Sequence, residues 1–187
     1  MKNEKNTRSA NFENSGNDSI RFQNADKKNL TLRRLDQKND MALLFEIFVS
    51  TREDILNYPA WDADQKKSFL NQQFKLQHHA YMTSYDHPIF YIVDFQNKGV
   101  GRLYLDIRER DVRIVDTAFL PSARNQGFGT ALLTDLLSWA QQHHKTLSIH
   151  VEKQNPALHW YRRLGFECME QGSVYDLMQT PPIRREH

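Results

Sequence analysis

Apolar residues recur along this chain at two periods, two and three-to-four, and the period switches several times. "NLTLRRL" alternates apolar and polar positions and predicts a first strand. Met41, Leu44, Phe45 and Phe48 then fall on one helical face, with Asp36 as the expected cap. "NYPAW" interrupts that face. Asp62 stands three residues before Gln65, the spacing of a capping box, and the helix behind it repeats apolar residues at Phe69, Leu70, Phe74 and Tyr81. "PIFYIVDF", "VGRLYLDI" and "VRIVDTAFL" follow, separated by the turns "NKG" and "RERD", which predicts an antiparallel meander. From Gly127 to about His144 the helical period returns, with Phe128, Ala131, Leu132, Leu136, Trp139 and Ala140 on one face. "LSIHV" reads as a short strand, "NPALHWYRRLG" as a short helix, and "FECMEQG" with "SVYDLMQ" as a closing hairpin. The order β-α-α-β-β-β-α-β-α-β-β predicts an α/β (α+β) chain with a mixed sheet and helices packed on it.

Length and composition narrow the function classes. The 187 residues suit one domain with a substantial core. Residues 1–28 are rich in Asn, Lys, Asp and Ser and are expected as a disordered polar tail, since they bury too little to offset ordering entropy. The domain is placed at 29–179, and 180–187 as a second, shorter tail. Net charge is only +2, which argues against a nucleic-acid partner. No stretch approaches the roughly 20 apolar residues of a membrane span, and the N-terminus shows no apolar signal-peptide core. A cytoplasmic location is therefore expected. The one cysteine, Cys168, rules out an intrachain disulfide and is expected as a small buried apolar residue.

The segment "LPSARNQGFGTALL" carries the most chemistry. It places Arg124, Gly127 and Gly129 where a strand gives way to a helix. Helix N-termini leave backbone N–H groups unpaired and bind phosphates readily, and glycines let an anion approach the backbone. The glycines either cradle a pyrophosphate or merely turn the chain into the helix, and Arg124 either adds charge or braces the loop. A P-loop ends in Gly-Lys-Ser/Thr, and "GFGTALL" has no lysine. A dinucleotide fingerprint needs a third glycine within a βαβ unit, whereas a meander precedes this turn.

Arg124-Asn125-Gln126-Gly127-Phe128-Gly129 resembles the Gln/Arg-x-x-Gly-x-Gly/Ala signature of the GNAT superfamily of acyl-CoA-dependent N-acetyltransferases. "NPALHWYRRLGF" downstream resembles that family's Asn…Ala…Tyr-x-x-x-Gly-Phe block. The resemblance covers residues 30 to 178. It implies a central sheet splayed between its fourth and fifth strands, with helices on both faces and acetyl-CoA as co-substrate in the gap. Thr117, Ala118 and Phe119 would meet the pantetheine arm through their backbone, and one N–H there would serve as an oxyanion donor. Asn125, Gln126, Gly127, Phe128, Gly129 and Thr130 would hold the pyrophosphate, with Arg124 beside them. Asn155 would contact the cofactor arm; it is also an ordinary helix cap before Pro156. Tyr161 would be the general acid toward the departing thiolate. The general base would be Asp116, His150 or Glu152.

The implied reaction is acetyl transfer from acetyl-CoA to a primary amine by direct attack in a ternary complex. A small-molecule amine is the expected acceptor, with a protein or peptide amine as the alternative. A non-catalytic acyl-CoA-binding module is a further alternative. No metal is expected: the pairs His78–His79 and His143–His144 are adjacent on helices and diverge. Tyr58, Trp61, Tyr81 and Tyr85 either form an acceptor wall or pack the helices on the sheet. The expected assembly is a monomer or homodimer with no nucleic-acid or membrane partner.

Overall fold

The computed structural model describes residues 20–181. Seven strands form one sheet: β1 (Leu30–Arg34), β2 (Pro88–Phe95), β3 (Lys98–Ile107), β4 (Asp111–Phe119), β5 (Thr146–Glu152), β6 (Glu167–Gln171) and β7 (Tyr175–Gln179). Their spatial order is β1-β2-β3-β4-β5-β7-β6. Every pairing is antiparallel except β4 with β5. Among the described residues, six α-helices accompany the sheet: α1 (Gln23–Asp26), α2 (Met41–Val49), α3 (Glu53–Leu56), α4 (Ala63–Thr83), α5 (Phe128–Gln142) and α6 (Ala157–Arg163).

The core lies on both faces of the sheet. On one face α5 buries Phe128, Leu132, Leu133, Leu136 and Ala140 against Val112, Ile114, Leu147 and Ile149. On the other, Leu44 and Phe48 of α2 and Leu70 and Phe74 of α4 cover Ile92 and Tyr104. The β2–β3 turn places Gln96 and Asn97 at φ 51° and 61°, the left-handed pair that matches strand twist in a two-residue hairpin. Asp62 and Gln65 form the expected reciprocal capping box at the start of α4.

Four local expectations are corrected. Asp36 does not cap α2, which begins at Met41. Its carboxylate instead closes its own turn, accepting from Lys38 N and Asn39 Nδ2. Asp40, at the cap position, is occupied by a bidentate pair with Arg33 at 2.7 Å for both contacts. Residues 20–28, placed in the tail by composition, pack on the domain: Ala25 is fully buried and α1 lies against α5. The tail expected over 1–19 and the end expected over 182–187 lie outside the described residues, while Thr180 still pairs with Leu147. Cys168 is exposed, because β6 is an edge strand with all of its residues exposed.

Candidate active site

The pairing of β4 with β5 stops partway along both strands. The last pair is Ile114 with Ile149, yet β4 continues to Phe119 and β5 to Glu152. A bulge contributes to the divergence. Tyr104 pairs with Asp116 and Leu105 with Ile114, so Val115 has no partner on β3. Beyond it one edge of β4 is unpaired. A cleft of about 1150 Å³ opens there, lined by Thr117, Ala118 and Phe119 on one side and by Glu152, Gln154 and Asn155 on the other.

The turn into α5 forms one end of this cleft. Asn125 at φ 59° and Gly127 at φ 75° carry the chain through two left-handed positions. A side chain at Gly127 would be strained there. Gly127 is the N-cap and offers no side-chain cap. Among the described residues, the N–H groups of Phe128, Gly129 and Thr130 find no acceptor, so three donors remain open at the positive end of a 15-residue helix. Gly129 has a separate reason to be glycine. A Cβ there would stand 3.2 Å from Trp160 Cη2 and 3.4 Å from Cζ2. Trp160 in turn is held by its indole N–H, which donates to Thr130 Oγ1 at 3.1 Å.

Arg124 braces. Its Nε donates to the Phe119 carbonyl at 3.0 Å, and its Nη2 donates to both the carbonyl and the hydroxyl of Ser50 at 2.9 Å. The guanidinium thus ties the free end of β4 to the end of α2. Gln126 donates to the Ser122 carbonyl at 2.7 Å and does not line the cleft. Asn155 Oδ1 accepts from Ala157 N at 2.9 Å, a local turn at the start of α6, and lines the cleft as well.

Tyr161 lines the cleft and is only 4% exposed. Phe166 packs edge-on to its ring at 5.5 Å and Trp160 tilts against it at 4.9 Å. Burial, with a smaller contribution from the Asp116 charge, pushes its phenol above the ordinary tyrosine range. The phenol therefore stays protonated near neutral pH.

The three base candidates separate. Asp116 is not among the residues that line the cleft and pairs with the buried Arg102 at 2.6 Å. His150 also lies outside the cleft lining, where its Nδ1 accepts from Arg113 Nη1 at 2.6 Å. Burial and the Arg113 charge both push its imidazole below the ordinary range. Glu152 does line the cleft, and so do Glu53 and Asp54 of α3.

The four aromatics of the N-terminal helices form no single wall. Tyr58 packs on Trp61 and Trp61 on Phe69 near the start of α4, while Tyr81 packs on Tyr104 at its far end. None of them lines the cleft. Trp160 and the α3 carboxylates are cleft residues that the motifs did not single out. For Trp160 the available signal was its place beside Tyr161 in the second motif. Among the described residues, no three His, Cys, Asp or Glu side chains gather as metal ligands would, and no helix is long and apolar enough to cross a membrane.

Comparison with solved structures yields the same architecture. The PaiA N-acetyltransferase of Thermoplasma acidophilum, solved with coenzyme A, superposes with a TM-score of 0.60 at 14% identity, over 81% of this chain and 98% of that one. The ribosomal-protein-S18-alanine N-acetyltransferase of Escherichia coli gives 0.55 at 18% identity, over 84% and 96%. A GNAT family acetyltransferase of Elizabethkingia anophelis, solved with acetyl-CoA, gives 0.54 at 17%, over 81% and 97%. These identities establish a shared fold and no more. No curated protein matches the chain in sequence. Residues 46–166, which hold the diverging strands, the glycine turn and Tyr161, match the acetyltransferase (GNAT) family, and the chain belongs to it.

Proposed function

We propose that this protein transfers an acetyl group from acetyl-CoA to the primary amine of a small molecule, by direct attack with both substrates bound. The observation that carries the reading is the cleft between β4 and β5. It has an unpaired strand edge on one side, unpartnered helix N–H groups at one end and the Tyr161 phenol in its lining. The unpaired edge at Thr117–Phe119 suits an extended arm that binds through backbone groups. The three open donors at Phe128–Thr130 suit a pyrophosphate. The volume lies just above the usual range for small-molecule sites, as a cleft that takes both a cofactor and an acceptor requires.

The chemistry needs a proton taken from the acceptor ammonium and one given to the departing thiolate. Tyr161 supplies the second: it lines the cleft, and burial keeps its phenol in the protonated form near neutral pH. In this reading the first falls to Glu152, the one of the three base candidates that lines the cleft. Glu53, Asp54 and Glu152 outnumber Arg124 and Arg163 in the cleft lining, and this slight negative excess favours a cationic amine over an acidic acceptor. The protein acts as a monomer or homodimer, in the cytoplasm, without a resident metal.

A calorimetric titration with acetyl-CoA, followed by thiol-release assays over a panel of small amines and amine-terminated peptides, tests this. One-to-one binding with turnover on a small amine is the expected result. Absence of binding at millimolar acetyl-CoA would sink the proposal. Binding without turnover on any amine would leave a non-catalytic acyl-CoA-binding protein.

A further inference from the structure

Asp135 is the one acidic residue of α5 and the only charged side chain buried on that helix, at 3% exposure. An unpaired carboxylate in such a place would be costly. Asp135 is instead saturated by the N-terminal segment: Asn24 N donates to both oxygens at 3.0 and 2.9 Å, Asn24 Nδ2 at 2.7 Å, and Ala25 N at 3.0 Å. Fully buried Ala25 fixes the segment in the groove. The chain then turns, with Lys28 N donating to Ala25 O and Asn29 at φ 57°, before entering β1. That turn directs Lys28 along α5 to its first residues. A Cβ built on Gly127 would lie 3.5 Å from Lys28 Nζ and 3.9 Å from Lys28 Cε. Among the described residues no carboxylate is within ion-pairing distance of this ammonium.

We infer that Lys28 is a pyrophosphate ligand of acetyl-CoA, delivered to the glycine turn by a segment that Asp135 clamps. The assignment rests on the proposed function and adds to it a contact from outside both sequence motifs. The glycine turn offers backbone donors and no lysine of its own, and Arg124 is spent on Phe119 and Ser50. Lys28 supplies the mobile positive charge that the turn lacks. Asp135 acts as a positioning residue at a distance, through the backbone of Asn24 and Ala25.

The test compares wild type with Lys28→Met and Lys28→Arg. Calorimetry gives the Kd of acetyl-CoA, CoA and 3′-dephospho-CoA, and a thermal melt of each ligand-free protein gives its Tm. Loss of one charge-assisted contact should weaken binding about 10- to 100-fold in Lys28→Met, by the same factor for CoA and 3′-dephospho-CoA. Lys28→Arg should recover most of the affinity. Ligand-free Tm should stay within about 2 °C, because Lys28 is exposed. An unchanged Kd in Lys28→Met would overturn the assignment and leave the proposed function standing. A loss confined to CoA and absent with 3′-dephospho-CoA would overturn it in favour of a 3′-phosphate contact. A loss accompanied by an equal fall in stability, without rescue by arginine, would reduce Lys28 to a structural residue. Failure of the wild type to bind any of the three ligands would overturn the proposed function and this assignment with it.

Discussion

Replacing Arg124 with alanine separates two roles that a basic residue beside a glycine turn can have. If it braces, its loss costs stability first. If it binds phosphate, its loss costs affinity and leaves the fold alone. The contacts are those of a brace: one bond to the Phe119 carbonyl and one shared between the carbonyl and hydroxyl of Ser50. Hydrogen bonds to a charged donor contribute roughly 1.5 kcal/mol each at the low end, the end that suits a half-buried guanidinium. Counting the shared pair as one, Arg124→Ala should cost about 2–3 kcal/mol. For a domain of this size that is a fall in Tm of about 5–10 °C. Arg124→Lys should cost nearly as much, because an ammonium cannot span both partners as the planar fork does. The assays are thermal melts of the ligand-free proteins and calorimetric titration with acetyl-CoA. A Tm unchanged within 1 °C combined with a large loss of affinity would refute the brace and return Arg124 to the phosphate.

Further outcomes follow from the site and its surroundings. Tyr161→Phe should leave the Kd of acetyl-CoA unchanged and lower kcat about 10- to 1,000-fold, while Glu152→Gln should lower kcat about 100- to 10,000-fold with the same Kd. Because the Tyr161 pKa is raised, the wild-type profile should show no falling limb from this residue below about pH 10; a limb near pH 8 that Tyr161→Phe abolishes would contradict the burial argument. Gly129→Val should abolish acetyl-CoA binding with only a modest change in Tm, since its branched side chain meets Trp160 at the mouth of the cleft; retained micromolar affinity would show that the cradle lies elsewhere. His150, with a pKa lowered in the folded state, takes up its proton less readily than in the unfolded chain. Its contribution is full above about pH 6.5 and declines as pH falls through that value, so Tm should drop less between pH 7.5 and 5.5 in His150→Gln than in wild type.

The regular elements were readable because each buries one face, and a buried face imposes its period on the sequence. The α5 stripe from Phe128 to Ala140 and the meander from Pro88 to Phe119 are cases of this. What escaped depends on partners distant in sequence. Nothing local to Asn24 and Ala25 announces a helix, and the carboxylate that holds them lies 111 and 110 residues away. The start of α2 was misplaced for a nearer reason: Asp36 closes its own turn with Lys38 and Asn39, and Arg33, seven residues before Asp40, takes the side chain at the cap position. Cys168 was expected inside because a free cysteine is among the most buried residue types, but residue type does not say which strand is at the edge. At the site, the motifs place Gly127, Gly129 and Tyr161 by position. They do not contain the contact of Trp160 with Thr130, nor the direction in which Asp116 points.

That direction follows from β4 itself. Its first half pairs on both sides and holds Val112 and Ile114 in the core. Its second half pairs only with β3, and a strand with one free edge needs other support. The structure supplies it twice. The bulge at Val115 leaves Asp116 on the face of Tyr104, where the buried Arg102 needs a counter-charge, and the pair fixes the strand from that side. Arg124 fixes its end from the other direction, through Phe119. A carboxylate spent on Arg102 is a poor choice for taking a proton from an acceptor, and one lining the opposite wall is a better one. In the proposed reading, the same divergence of β4 from β5 that creates the cleft therefore favours Glu152 over Asp116 as the base. An enzyme whose Asp116→Asn variant lost stability but kept its kcat would bear this out, and one whose kcat fell about 100-fold or more in that variant at unchanged stability would refute it.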